Sequence, residues 1–435
     1  MTVGAPAAAR GRLKERPTLA VIGGGWAGLA ASVAATRQGH AVTLCEMSAH
    51  LGGRARAVPH GDWPLDNGQH ILIGAYRETL ALMQHVGVVE SSALVRRPLC
   101  MIDSDGVGLR LREGPAVASF IGAVLRHPTW DLAEKLSLLR SAGGWALRRF
   151  RCDAALSVTQ LTQGLAPRVR RELIEPLCVA ALNTPADAAS AEVFLRVLRD
   201  ALFAGPGASD LLLPRVDLSE ALPNHAQAWL RQAGAQVRLN HRILSLTAME
   251  GGWGVDGERF DQVVLATPPG EAARLVDSIA PGWAASAQAL RYEPIVTTYL
   301  FSAGIRLPEP MLLLHADALS PGQFVFDRGQ LGGPAGLLAL VVSGAQAWVD
   351  QGTVAIETAA LDQVQRQLAS HLKEPLRIVK TLTEKRATFA CTPGLKRPPR
   401  AIAPGLQAVG DYIAGPYPAT LEGAVRAGLE AAEAL

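Results

Sequence analysis

Residues 18–46 read TLAVIGGGWAGLAASVAATRQGHAVTLCE. A short apolar run from Thr18 meets the glycines Gly23, Gly24 and Gly25, an alanine-rich stretch runs to Gly39, and a second apolar run ends at Glu46. The pattern predicts strand, tight turn, helix and strand. Gly23, Gly25 and Gly28 fit GxGxxG, where glycine is needed for the turn, for close approach of backbone to a pyrophosphate, and for packing of helix on strand. The helix N-terminus then offers N–H groups to phosphates. Glu46 closes the second strand, where a carboxylate accepts hydrogen bonds from an adenosine ribose and repels a 2′-phosphate, which argues against NADP.

The same glycine spacing recurs at Gly252, Gly254 and Gly257 in GGWGVDG, between the strand-like runs RLNHRILSLTAM and ERFDQVVLAT. No helical pattern follows it, so the sequence predicts a turn joining a hairpin. Context separates the two copies.

Six residues after Glu46 stands LGGRARA, with Gly52, Gly53 and Arg54. A glycine pair and an arginine here suit a flavin, whose ribityl chain needs close backbone and whose phosphates or ring attract a guanidinium; a glycine turn beside a surface arginine is the alternative. At the other end, GLQAVGDYIAGPYPATLEGAVRAGLEAAEAL ends a strand at Gly410-Asp411. A loop with Tyr412 and Tyr417 follows, and an amphipathic helix starts near Thr420. Its N-terminus is a positive dipole end, suited to the pyrimidine carbonyl of a reduced flavin. Between these ends, LDNGQHILIGAY (65–76) joins five polar or special residues directly to an apolar run, as an ordinary turn or as a segment facing something bound.

Bulk properties narrow the function. The 435 residues exceed one compact core, and 49% hydrophobic against 19% charged residues describe a globular chain. A net charge of +3 with interspersed signs provides no field for nucleic acid. Cys45, Cys100, Cys152, Cys178 and Cys391 form no CxxC pair, so neither disulfides nor a metal site is indicated, and a reducing, cytoplasmic setting is expected. Residues 1–16 read as a disordered tail. No long uncharged apolar stretch exists to span a bilayer, so membrane contact would be peripheral, on the inner face. AVASFIGAVLRHPTWDLAEKLSLLRSAGGWALRRFR (116–151) reads either as core helices with a solvated edge or as an interfacial patch, since Trp and Arg favour the headgroup zone.

In GGGWAG, Glu46, GGR and GDY…TLEGA, in this order, the chain resembles the FAD-dependent amine oxidase and phytoene desaturase superfamily. In LDNGQHILIGAYRETLALM, LLLPRVDLSEALP and FDQVVLATPP it resembles the squalene-associated hydroxysqualene dehydroxylases of hopanoid biosynthesis, over essentially residues 17–433. His50 stands where relatives often carry arginine, and Ala57 replaces a usual hydroxyl residue, so phosphate neutralisation leans on Arg54 or Arg56. The resemblance implies an α/β fold: a discontinuous Rossmann-like FAD-binding domain (17–75, 214–275 and 400–435), a helical cap or substrate domain (76–213) and a sheet-containing substrate domain (276–399).

The resemblance also implies the cofactor contacts. These are Gly23, Gly25, Trp26, Ala27 and Gly28 at the first turn, Glu46 and Met47 at the ribose, and Gly53 and Arg54 along the ribityl chain. Gly68, Gln69 and His70 would pass the ring, Val237 would pair with the base, and Ala266, Gly410, Asp411, Thr420 and Leu421 would complete the set. In this fold 66–70 lies between cofactor and substrate. The implied reaction removes the allylic hydroxyl of hydroxysqualene to give squalene, with His70 as proton donor or holder of the donating water and Asp66, Tyr412 and Tyr417 as further candidates. With one dinucleotide site present, the flavin would be reduced by diffusible NAD(P)H or a partner reductase. The alternatives are a carotenoid-type desaturase, another prenyl-lipid flavin oxidoreductase, and a non-catalytic FAD-containing lipid carrier or assembly subunit. The stripe Tyr76, Leu80, Met83 and Val86 is expected to be core.

Overall fold

The computed structural model describes residues 16–435, so the tail expected over 1–16 lies, but for Arg16, outside the described residues. A six-stranded sheet carries the first motif. Its strands are β1 (Thr18–Ile22), β2 (Ala41–Cys45), β3 (Gln236–Arg238), β4 (Gln262–Leu265), β5 (Ala401–Ala403) and β6 (Leu406–Ala408), in the order β5-β6-β4-β1-β2-β3. All pairs are parallel except β5 with β6. The central strand β1 is a continuous apolar run because helices cover both faces of a parallel sheet, and Leu19, Ala20 and Val21 are fully buried.

Helix α1 (Trp26–Arg37) leaves β1 through the glycine turn and stops in a Schellman arrangement: Gly39 takes φ +93° and the His40 N–H donates to the Ala35 carbonyl at 3.1 Å. The final helix crosses it closely. A Cβ on Gly428 would lie 2.9 Å from the Cβ of Ala30, so a glycine is what lets the two backbones approach.

A five-stranded antiparallel sheet forms the second layer, ordered Met311–Leu313, Phe324–Asp327, Leu337–Val342, Tyr292–Phe301 and Arg377–Phe389. Three further strands, Leu72–Ile73, Leu211–Pro214 and Leu94–Arg97, link the layers. Helices α2 (Arg77–His85), α3 (Ala116–Arg126), α4 (Leu132–Leu147) and α5 (Ala191–Phe203) belong to the helical region, and α6 (Leu421–Glu433) closes the chain.

One expectation needs correction. GGWGVDG is not a turn: Gly252–Val255 is the central strand of an antiparallel meander, between Leu246–Met249 and Glu258–Phe260. Its glycines are there because a Cβ at Gly252 or Gly254 would strike the Phe260 carbonyl or the Met249 side chain. Among its helices the segment 76–213 also carries strands at 94–97, 100–102, 108–110 and 211–214. Of the two readings left open for 116–151, the tryptophans follow the core one: Trp130 and Trp145 are buried, and the Trp130 Nε1–H donates to Glu172 at 2.7 Å.

Candidate active site

The first cradle lies at the carboxyl ends of β1, β2 and β4. Gly23 takes φ +109°, and a Cβ there would meet the Ala266 carbonyl oxygen at 2.5 Å. Ala266 itself is fixed by its N–H donating to Ile22 O at 2.7 Å. A Cβ on Gly28 would strike the Gly23 carbonyl. The Glu46 carboxylate is buried and accepts from the Gly24 N–H at 2.7 Å and the Ser48 N–H at 2.9 Å, which holds one oxygen on the turn and one on the following loop. The Arg238 carbonyl accepts from the Glu46 N–H at 2.9 Å, and Val237 pairs with Leu44, which places β3 beside the carboxylate.

This cradle fits a dinucleotide. Helix α1 begins at Gly25 with no side-chain cap and no acid in its first turn, so its leading N–H groups and dipole are left for an anion. Gly25 bridges Gly52, and Gly53 (φ +60°) passes close to Gly25, so two stretches of bare backbone run side by side. Trp26 is buried and its Nε1–H donates to the Ala55 carbonyl at 3.1 Å, which ties α1 to the GGR loop; Ala27 is buried beside it, and Met47 is exposed.

Arg54 is committed to the C-terminal segment. Its guanidinium meets Asp411 Oδ1 at 2.6 Å and donates to the Ala387 carbonyl. These contacts form a clasp between the GGR loop and Gly410-Asp411. Tyr412 is buried behind that clasp, burial pushes its phenol far up, and its hydroxyl has no hydrogen-bond partner among the described residues. Thr420 caps α6 by accepting from the Gly423 N–H at 2.9 Å. The dipole of α6 is partly offset, because Glu422 in its first turn is buried. That carboxylate accepts from the Thr79 hydroxyl at 2.7 Å and from Arg426 Nε at 2.8 Å.

The stretch Asp66–His70 is fastened from both layers. The Tyr299 hydroxyl donates to the Asp66 carbonyl at 3.0 Å and accepts from the Asp66 N–H at 3.2 Å. The Asp66 carboxylate accepts from the Leu218 N–H at 2.8 Å and faces Arg328 at 3.5 Å, and burial still raises its pKa to about 6. Both oxygens thus face partners from other segments of the scaffold. Asn67 Nδ2 donates to Arg54 O and Glu384, and Gln69 Oε1 accepts from Arg328 at 3.3 Å. Gly68 takes φ +88°, a conformation that favours glycine. Burial drives the His70 pKa down to about 4, with Arg54 adding to the depression, so the imidazole is neutral at pH 7. A neutral ring is suited to holding a water, the second of the two roles expected of it.

Beyond Ile71 opens an apolar chamber of about 430 Å³. Its walls include Ile73, Leu99, Phe120, Leu138, Leu177 and Phe324, and its polar groups are few: Tyr76, Asp200, Ser209, Tyr417 and Thr420. Of His70, Asp66, Tyr412 and Tyr417, it is Tyr417 that lines the chamber. Its phenol is pushed up by burial and by Asp200, and the Arg426 guanidinium lies 4.9 Å from its ring. Asp200 Oδ2 is buried without a hydrogen-bond partner among the described residues. Sequence reasoning placed Tyr76 in a core stripe and passed over Asp200 and Ser209. Helical spacing identified the Tyr76 face, and nothing local marked the other two.

A dinucleotide cradle built from both ends of the chain, set against an apolar chamber, defines a flavin-dependent oxidoreductase. Residues 26–435 match the flavin containing amine oxidoreductase family, and the chain belongs to it. Its cofactor is FAD. Among curated relatives, the hydroxysqualene dehydroxylase of Rhodopseudomonas palustris is 28% identical over 96% of this chain and 97% of its own, and that of Zymomonas mobilis is 26% identical over 95% and 97%. Among solved structures, an oxidoreductase from Methanosarcina mazei superposes with a TM-score of 0.73 at 13% identity, covering 96% of this chain and 100% of that one. Cyclohexylamine oxidase from Brevibacterium oxydans gives 0.67 at 18% identity, covering 96% and 98%. These structural likenesses speak for the fold.

Proposed function

We propose that the chain reduces hydroxysqualene to squalene, releasing the allylic hydroxyl as water. The observation that carries this reading is the chamber: its lining is overwhelmingly apolar, and its few polar groups include Tyr417, Asp200 and Thr420. The names of the curated relatives support the substrate. An amine substrate would leave most of this lining without a purpose.

Hydroxide leaves poorly, so the departing oxygen needs a proton. Tyr417 beside Asp200 is assigned to supply it, replenished from solvent through the polar end of the chamber, while neutral His70 positions a water. Reduced FAD, when bound in the cradle, supplies the hydride that forms the new C–H bond. The C–O bond breaks, the carbon is reduced, and water departs. The apolar walls keep nucleophiles from an electron-poor allylic carbon. Glu46 and the first-turn N–H groups would hold the dinucleotide, and the Arg54–Asp411 clasp would hold the two chain ends around it. Electrons reach the flavin from a diffusible nicotinamide cofactor or from a partner reductase.

The test is anaerobic. The reduced holoprotein is mixed with hydroxysqualene in detergent, flavin reoxidation is followed, and the extracted lipid is weighed by mass spectrometry. Squalene formed in step with reoxidation is the expected result. Unchanged lipid beside a reduced flavin would overturn the dehydroxylation reading and turn attention to desaturation of prenyl lipids.

A further inference from the structure

A second cavity of opposite character adjoins the chamber. It measures about 420 Å³ and is lined by Arg149, Arg151, Arg196 and Arg199 against one acid, Glu192, with Phe150 common to both cavities. Helix geometry makes the division. On α5, Glu192, Arg196 and Arg199 recur at i, i+4 and i+7 and face the basic cavity, while Val193, Val197 and Asp200 lie one position on and face the chamber. The opposite wall follows α4. There Arg149 (φ +53°) and Phe150 (φ +55°) are consecutive non-glycine residues in left-handed conformation, which costs free energy and is concentrated at functional positions. This backbone sets the Phe150 ring edge-on to Phe203 at 5.3 Å and leaves an arginine on either side of it at the basic cavity. Arg199 is held by Asp200 at 2.7 Å; among the described residues Arg149, Arg151 and Arg196 pair with no carboxylate.

The chamber's outer rim is apolar and uncovered. Val117 and Ile121 on α3 and Phe203 on α5 line the chamber and are exposed at the same time. Leu125 continues that face, and Leu132, Leu136 and Leu147 extend it onto α4. Leu147 is 88% exposed and directly precedes Arg148 and Arg149. Seven of the thirteen exposed large apolar side chains among the described residues sit on these three helices, so the patch is not the ordinary scatter of a water-facing surface.

We propose that this face docks on an anionic lipid bilayer, with a lipid phosphate held in the four-arginine cavity and the apolar rim seated among the acyl chains, so that the chamber opens into the membrane. Guanidinium groups match phosphate oxygens in pairs, and basic residues at a membrane surface draw it to anionic lipid. An acidic protein surface would answer the arginines but not the apolar rim that is continuous with the chamber lining. No helix among the described residues is long and apolar enough to cross a membrane, so the contact is one of seating on the surface.

The test is sedimentation of the holoprotein with vesicles of phosphatidylcholine alone and of phosphatidylcholine and phosphatidylglycerol in equal parts. Binding to the mixed vesicles is expected to be at least about tenfold tighter. The pair Arg149→Glu/Arg151→Glu should bring it to the neutral-vesicle level, and Leu125→Ser/Leu147→Ser should weaken binding to both. Unchanged melting temperature and flavin content in each variant keep the comparison one of surfaces. Equal binding to both vesicle types, or undiminished binding after charge reversal, would overturn the proposal. So would displacement of the protein by inorganic phosphate, which would mark a soluble phosphate as the ligand. None of these readouts depends on the identity of the substrate.

Discussion

Arg54 and Asp411, 357 positions apart in sequence, meet at 2.6 Å and tie the GGR loop to the loop that precedes the final helix. The clasp closes the candidate cradle with the chain's own charges, and it sets how that cradle should respond to substitution.

Asp411→Ala should leave Arg54 without its partner and loosen both loops. The Arg54 side chain is 37% exposed, so solvent screens the pair and the loss of stability is about 1 kcal/mol. Flavin retention is expected to suffer more than the melting temperature, because both loops border the cradle. Dialysis followed by flavin absorbance measures this; full retention of FAD by the variant would show that the clasp does not shape the site.

Glu46→Gln replaces a carboxylate that accepts two backbone N–H groups. Hydrogen bonds to a charged acceptor contribute about 1.5–3 kcal/mol, so FAD affinity should fall by roughly tenfold to a hundredfold. Titration of the apoprotein by flavin fluorescence quenching reads the change.

Gly428→Val inserts side-chain volume where a Cβ already meets Ala30 and the Ala27 carbonyl. Overpacking of this kind costs about 1–3 kcal/mol. The melting temperature should fall and the first turn of α1 should shift, which carries the loss to FAD binding at that same end of the helix. A variant as stable as the parent would mean that α6 moves without cost.

His70 and Asp66 oppose each other in acid. The folded pKa of His70 is lowered from 6.5 to about 4, so the unfolded chain binds the extra proton and stability is lost as pH falls from about 6.5 towards 4. Asp66 is raised from 3.8 to about 6, so the folded chain binds more protons and stability declines as pH rises through the same range. His70→Gln removes the first effect alone. Relative to the parent, the variant should gain on the order of 3 kcal/mol between pH 6.5 and 4, read by denaturant unfolding at each pH. Parallel curves would show that His70 is not held neutral by burial.

Tyr417→Phe should retain FAD and chamber volume but lose the phenolic proton. A positioned acid contributes about 10²–10⁴ in rate, so squalene formation should fall by that order with flavin content unchanged. His70→Ala is expected to fall less. The opposite ranking would return proton delivery to His70.

Local signals sufficed where chemistry follows from neighbours in sequence. The first glycine turn, its helix, the Schellman stop at Gly39 and the buried Glu46 all sit within one βαβ unit. GGWGVDG misled because its glycines answer to strands outside the motif: Gly252 yields to Phe260 and Gly254 to Met249. The strands within 94–111 were hidden for the same reason, since two of them, Cys100–Ile102 and Gly108–Arg110, pair only with each other and present no periodicity long enough to read. For 116–151 residue type left a core and an interfacial reading open, and packing puts Trp130 and Trp145 in the core.

By itself, then, the sequence determined the dinucleotide turn, the parallel strands around it, the flavin class and the ends of the chain that build the cradle. The turn, its helix and Glu46 declare themselves within a few tens of residues of one another, and the other segments each carry their own local pattern. Only the tertiary structure decided that Arg54 binds Asp411, that Asp66 serves Leu218 and Arg328, and that Tyr417 and Asp200 line one apolar chamber beside four arginines. Those pairings join segments whose contact depends on how the layers pack, and burial, not residue type, sets which of the groups can carry a proton.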